Sequence, residues 1–326
     1  MESARVDDGV RLAELMATLS LVTDLGLGRP LGRELAVCLS ALELAGRLGV
    51  SAETRVEVYY VALVAHIGCT AAAPHLADWV AGDEIHLQQA ADVLGPMSEP
   101  GEDLRFFVQR FADDRPLPER ARLVAAMLAG GQARFARMAA DLCDGGRLLA
   151  ERLHLPAGVA LALGQYTERW DGKGFPGQAS GEAISPAMRI VRVAHDLLAV
   201  GQARGPAAAT EALRRRRGRG YDPAAVDAAL AEPSTLLDVA DVHDGWERVI
   251  AAEPAPVATV SPAGLSSVAR AFGEFADVKV GFLHGHSARV ADLAAIAAEA
   301  LGCSPAEVRV AGHVHDLGRV AVANGI

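Results

Sequence analysis

The chain has 326 residues, room for two ordinary domains, and 51% of them are hydrophobic, which excludes a disordered chain. Its formal net charge of −10 excludes a nucleic-acid-binding surface spread over the whole molecule, and the basic run at 214–219 reads as a solvated helix end leading into a turn. The most apolar stretch, 58–73, is shorter than the roughly 18–20 residues of a membrane span and contains His66, so it reads as a buried helix.

Apolar residues recur at helical spacing from the start. Leu12, Leu15, Met16 and Leu19 form one stripe, Leu35, Leu39, Leu42 and Leu48 the next, and Val56, Tyr59, Tyr60 and Leu63 a third. Gly49 stands where a helix stops, and Ser51 with Glu53 and Glu57 opens another. Helical patterns continue over 85–95, 103–112, 118–130, 133–153, 157–167, 186–200, 207–215, 223–231 and 235–251. Residues 171–177 are too rich in turn formers for helix, and 253–264, rich in Pro and Ala, reads as a linker before a new helical pattern near Leu265. No strand pattern matches these in strength, and aromatics are only 5%, so the expected class is all-α. No basic-then-apolar leader opens the chain. Cys38, Cys69, Cys143 and Cys303 have no metal or CxxC spacing and read as small residues in a reducing cytoplasm.

A two-helix unit occurs twice. Residues 31–51 and 284–304 both read as amphipathic helices ending in Leu-Gly-x-Ser, and each leads to a second apolar helix with a late glycine, Gly68 or Gly318. In the second unit that helix carries His313, His315 and Asp316. Neighbours on a helix point about 100° apart, so an imidazole and a carboxylate there can lean toward one cation beside the helix. One neutral and one anionic donor suit Fe, Mn, Zn or Mg. His286 opens the preceding helix and reaches the pair if the two helices pack antiparallel. Arg319 is placed to hold a phosphate.

The run from Asp277 and Lys279 through His286, Ser287, Arg289 and Val290 to His315, Asp316, Gly318 and Arg319 resembles the HD-GYP branch of the HD phosphohydrolases. So does the loop Glu168, Arg169, Trp170, Asp171, Gly172, Lys173, Gly174, Phe175, Pro176, Gly177, with Phe175 where that family has tyrosine. The resemblance implies an all-helical HD-GYP-like bundle followed by a partial second HD helical unit. It implies His286, His315 and Asp316 as ligands of a divalent metal such as Fe or Mn, His315 and Asp316 as catalytic groups, and Arg319 and Lys279 as phosphate contacts. It also implies cleavage of cyclic dinucleotides, cyclic di-GMP above all, or of another phosphoester by activated water.

The expected organisation is a degenerate domain over 1–250 that lacks metal ligands, a linker over 251–264, and the first part of a second domain over 265–326. In the degenerate copy Arg33 and Ala65-His66 fall where ligands belong, Tyr166-Thr167 replaces paired histidines and His195 replaces an aspartate. Its loop, with Arg169 and Lys173 as donors, keeps a shape suited to folding, partner contacts or phosphate. The apolar faces of 265–326 are expected to pack on the first domain, to pair with another chain or to stay loose. The alternative function is a catalytically inactive regulatory or dimerisation module of a transcriptional regulator, with a LuxR-type helix-turn-helix downstream. A homo-oligomer is expected, with no membrane contact and no DNA-binding motif in this stretch.

Overall fold

A computed structural model describes residues 9–80, 84–92, 116–239 and 244–324. It is all-helical apart from one small strand pair. The pattern expected at 103–112 lies outside the described residues.

Helices α1 (Leu12–Gly26), α2 (Arg33–Leu48) and α3 (Ala52–Val64) open the fold. In α3 every residue from Val58 to Val64 is buried, so a run without alternation becomes a central helix. The Ser51 hydroxyl accepts from the Thr54 backbone N–H at 3.1 Å and starts it. Helices α4 (Ile67–Val80) and α5 (Glu84–Asp92) follow. Next comes α6 (Leu117–Arg152), one helix where the patterns at 118–130 and 133–153 suggested two. The supposed break holds Gly130 and Gly131; glycine weakens a helix by about 1 kcal/mol but keeps its N–H, so the pair does not end it. Then come α7 (Ala157–Leu163), α8 (Pro186–Arg204), α9 (Pro206–Arg216), α10 (Pro223–Ala231), α11 (Pro233–Asp238) and α12 (Gly245–Ala251). The last long helices are α13 (Pro262–Val278), α14 (His286–Ala300) and α15 (Pro305–Val314), before a short 3-10 turn, Leu317–Ala321.

The stretch 251–264 is not a free linker. Thr259 and Val260 pair antiparallel with Arg11 and Val10. Glu253 takes Arg11 Nε at 3.0 Å and the Tyr60 hydroxyl at 3.0 Å. Those bonds stitch the stretch to the start of α1 and to α3. The basic run is also only partly solvated. Arg216 turns inward to the Tyr221 hydroxyl at 3.1 Å, because a buried carboxylate, Asp196, lies beyond it at 3.9 Å.

Of the three fates expected for the apolar faces of 265–326, packing on the preceding helices is the main one. Val268, Phe272, Phe275 and Val320 join the same core as α1–α4 and α8. Helix α14 differs: Leu293 and Ile296, with Leu301 just past its end, are 65–79% exposed.

The two helix pairs share local geometry. Helices α2 and α14 each begin after a left-handed glycine, Gly32 (φ 84°) and Gly285 (φ 72°). Each ends near another, Gly49 (φ 62°) and Gly302 (φ 71°), before a serine N-cap, Ser51 or Ser304. Arg33 therefore matches His286 in register; the second helix is shorter in the later pair, 10 residues against 13, so Ala65 and His315 correspond only as the residues that cap those helices.

Candidate metal centre

Helices α13, α14 and α15 approach closely because two glycines stand at the crossings. A Cβ on Gly312 would lie 2.6 Å from Ala291 Cα, and one on Gly273 would lie 2.4 Å from the His313 carbonyl oxygen. The Asp277 carboxylate fixes the start of α14. It accepts the Ser287 backbone N–H at 3.0 Å and the Ser287 hydroxyl at 2.7 Å.

This framework brings His286, His315 and Asp316 together. One donor atom from each lies within 4.8 Å of the others. His286 Nε2 is 3.6 Å from Asp316 Oδ2, and His315 Nε2 is 3.7 Å from the same oxygen. The His315 Nδ1 lies 2.8 Å from the Gly312 carbonyl oxygen. A carbonyl only accepts, so Nδ1 carries the proton and Nε2 keeps a lone pair toward the cluster. All three side chains are about one-third exposed, so a ligand reaches them from solvent. Two imidazoles and one carboxylate at this spacing fit a divalent transition ion.

The expected phosphate contacts divide. Arg319 is 45% exposed and donates to Asp316 Oδ2 at 3.0 Å, at the rim of the cluster. Lys279 does not serve there. Its side chain is buried, its ammonium donates to the Val320 carbonyl, and it lies 3.5 Å from the buried Glu84 carboxylate. A cation so enclosed needs a fixed counter-charge, and Glu84 supplies it.

The loop at 168–177 stands apart from this centre, with its contacts in the first part of the fold. Glu168 is buried and accepts the backbone N–H groups of Gly177, Gln178 and Ala179 at 3.1, 2.7 and 3.2 Å. Arg169, expected as a phosphate donor, is buried and forks onto Asp171, with both bonds at 3.1 Å. Burial alone would raise the Asp171 carboxyl, but Arg169 and the Lys173 N–H hold it below the usual carboxylate range. Thr167 bonds the Phe175 carbonyl at 2.6 Å, and Asp171 N–H donates to the Arg219 carbonyl at 2.8 Å. A Cβ on Gly174 would lie about 2.6 Å from the Glu168 backbone, so the glycine is required there. Gly172, Lys173 and Pro176 lie on the exposed rim.

Sequence reasoning singled out His66 and His195 in the first copy but missed the residue that completes a second donor group with them. Glu34, His66 and His195, all buried, also place donor atoms within 4.8 Å of one another. Counting along the helix reached Arg33. The group that converges on His66 is the next residue, about 100° further round the helix.

Two segments match two family models, each described as an HD domain: one over residues 144–225 and the other over residues 283–324. Over 321 residues the chain is 26% identical to the 3'3'-cGAMP-specific phosphodiesterase 3 of Vibrio cholerae serotype O1; the match spans 97% of this chain and 69% of that protein. A crystal structure of a cyclic GMP-AMP specific phosphodiesterase of V. cholerae superposes with a TM-score of 0.71 at 24% identity, over 97% of this chain and 72% of that one, which shows a shared fold. The chain is all-helical among the described residues, carries two segments that match the HD domain, and is similar over nearly its whole length to this V. cholerae phosphodiesterase.

Proposed function

We propose that this protein is a metal-dependent phosphohydrolase acting on a cyclic dinucleotide, with His286, His315 and Asp316 as the metal-holding groups. The observation that carries this reading is the convergence of those three donors on one partly open point. A divalent ion bound there supplies a Lewis acid that polarises a phosphoryl oxygen and makes water a nucleophile at neutral pH. The chain's own groups do the positioning. Gly312 fixes the His315 tautomer, and Asp277 sets the turn that presents His286. Arg319 balances Asp316 and reaches solvent where a phosphate would arrive.

The relative's name supports a 3'3'-linked cyclic dinucleotide as substrate class. The test is hydrolysis of 3'3'-cGAMP and cyclic di-GMP with Mn2+ or Fe2+, followed as release of linear dinucleotide. Turnover that falls at least about 100-fold in Asp316→Asn supports the reading. Equal turnover in Asp316→Asn would overturn it. A second reading, a regulatory module that binds without turnover, is favoured by the ligand count at the centre: three protein donors among the described residues. Tight nucleotide or metal binding with no hydrolysis would select it.

A further inference from the structure

The first part of the fold holds its own cluster of metal-type donors. Glu34 lies in the first turn of α2, His66 just beyond α3 and His195 within α8. Their side chains are only 1–2% exposed, unlike the open centre at His286.

The cluster's geometry does not match a simple ion pair. Glu34 Oε1 and His66 Nδ1 are 2.9 Å apart, yet they do not align as a hydrogen bond, and neither ring nitrogen of His66 has a hydrogen-bond partner. Glu34 Oε1 takes Arg29 at 2.8 Å, while Glu34 Oε2 has no hydrogen-bond partner. A buried imidazole and a buried carboxylate oxygen left without bonds are costly. Donors around one ion crowd in this manner. With metal–ligand bonds of about 2.0–2.2 Å, neighbouring ligand atoms sit about 3–3.5 Å apart and face the ion rather than each other.

The surroundings suit such an ion. His195 Nδ1 lies 2.8 Å from Asp196 Oδ1, which fixes the tautomer with a lone pair on Nε2. Asp196 is itself held by the Tyr221 hydroxyl, with Arg192 at 3.7 Å.

We infer that Glu34, His66 and His195 hold one zinc-like divalent ion in a closed site that stabilises the fold. Two neutral imidazoles and one carboxylate are a zinc-type donor set, and enclosure makes the role structural rather than catalytic. The site is separate from the centre at His286 and does not depend on what that centre does.

The test uses the full chain with the open centre disabled by His286→Ala and His315→Ala, refolded from guanidinium with Zn2+ or with Co2+. After dialysis against a chelator under native conditions, about one Zn2+ per folded chain should remain. The Co2+ form should show visible d–d absorption bands of a low-coordinate site. Adding Glu34→Gln should abolish both signals, and adding His66→Gln should do the same. A folded double-alanine chain that retains no zinc and shows no cobalt bands would overturn the inference. That measurement decides even if the Glu34 and His66 variants fail to fold.

Discussion

The Asp277 carboxylate grips Ser287 twice, by its backbone N–H at 3.0 Å and its hydroxyl at 2.7 Å, and so holds the first turn of the helix that His286 begins. Hydrogen bonds to a buried charged group contribute about 1.5–3 kcal/mol each. Asp277→Ala should therefore lower stability by about 3 kcal/mol in urea unfolding, and Ser287→Ala, which removes one of the two bonds, by about 1.5 kcal/mol. Asp277→Ala should also weaken metal binding at His286 about 10- to 100-fold, as loss of a ligand's support does. Unchanged affinity would separate the anchor from the centre.

Gly312 lets α14 and α15 touch, with Ala291 Cα only 2.6 Å from where its Cβ would stand. Gly312→Ala should push the helices apart and cost about 1–3 kcal/mol. Because His286 and His315 ride on opposite helices, the same change should weaken metal binding. Isothermal titration with Mn2+ on the folded variant reads this directly. Wild-type affinity would show that the helix spacing is not what assembles the site.

Lys279 is paired inside the protein with Glu84, and Glu84 also accepts the Asn324 backbone N–H at 3.0 Å. Breaking a buried pair from one side costs about 3–5 kcal/mol, so Lys279→Ala should destabilise the chain by that amount. The double variant Lys279→Met with Glu84→Gln should recover part of it. If Lys279 instead contacted phosphate, Lys279→Met would keep its stability and lose substrate affinity alone.

Asp171 gives the loop a defined response to acid. Its folded carboxyl titrates below the ordinary value near 3.9, so the unfolded loop binds more protons in the acid range. Its contribution to stability is thus complete above about pH 4 and is lost as pH falls through the lowered folded value. Fluorescence of the adjacent Trp170, in a chain with Trp79 and Trp246 changed to Phe, should report loosening only below about pH 4. Asp171→Asn should remove that step. A transition near neutrality would contradict this assignment.

Much of the fold was legible because the apolar stripes of α1 and α2 are regular and Gly49 stops the second of them. The His286, His315 and Asp316 group was legible for the same reason: register along two helices puts the three residues at facing ends. What escaped was set by contacts between distant segments. The fate of 251–264 depends on Arg11 and Tyr60, about 190–240 residues earlier, which no local pattern reports. Lys279 looks like any cation until Glu84 is placed beside it. Glu34 hid behind Arg33, since alignment by position selects a residue while a helix turns its neighbour inward.

The central claim is that His286, His315 and Asp316 hold a divalent ion, and metal content tests it most directly. The full chain and His315→Ala should be prepared side by side with Mn2+ and Fe2+ supplied, then assayed by elemental analysis with folding checked by circular dichroism. The account predicts about one more ion per chain in the wild type than in the variant, whatever the Glu34 cluster binds. Equal metal content in two equally folded proteins would contradict it.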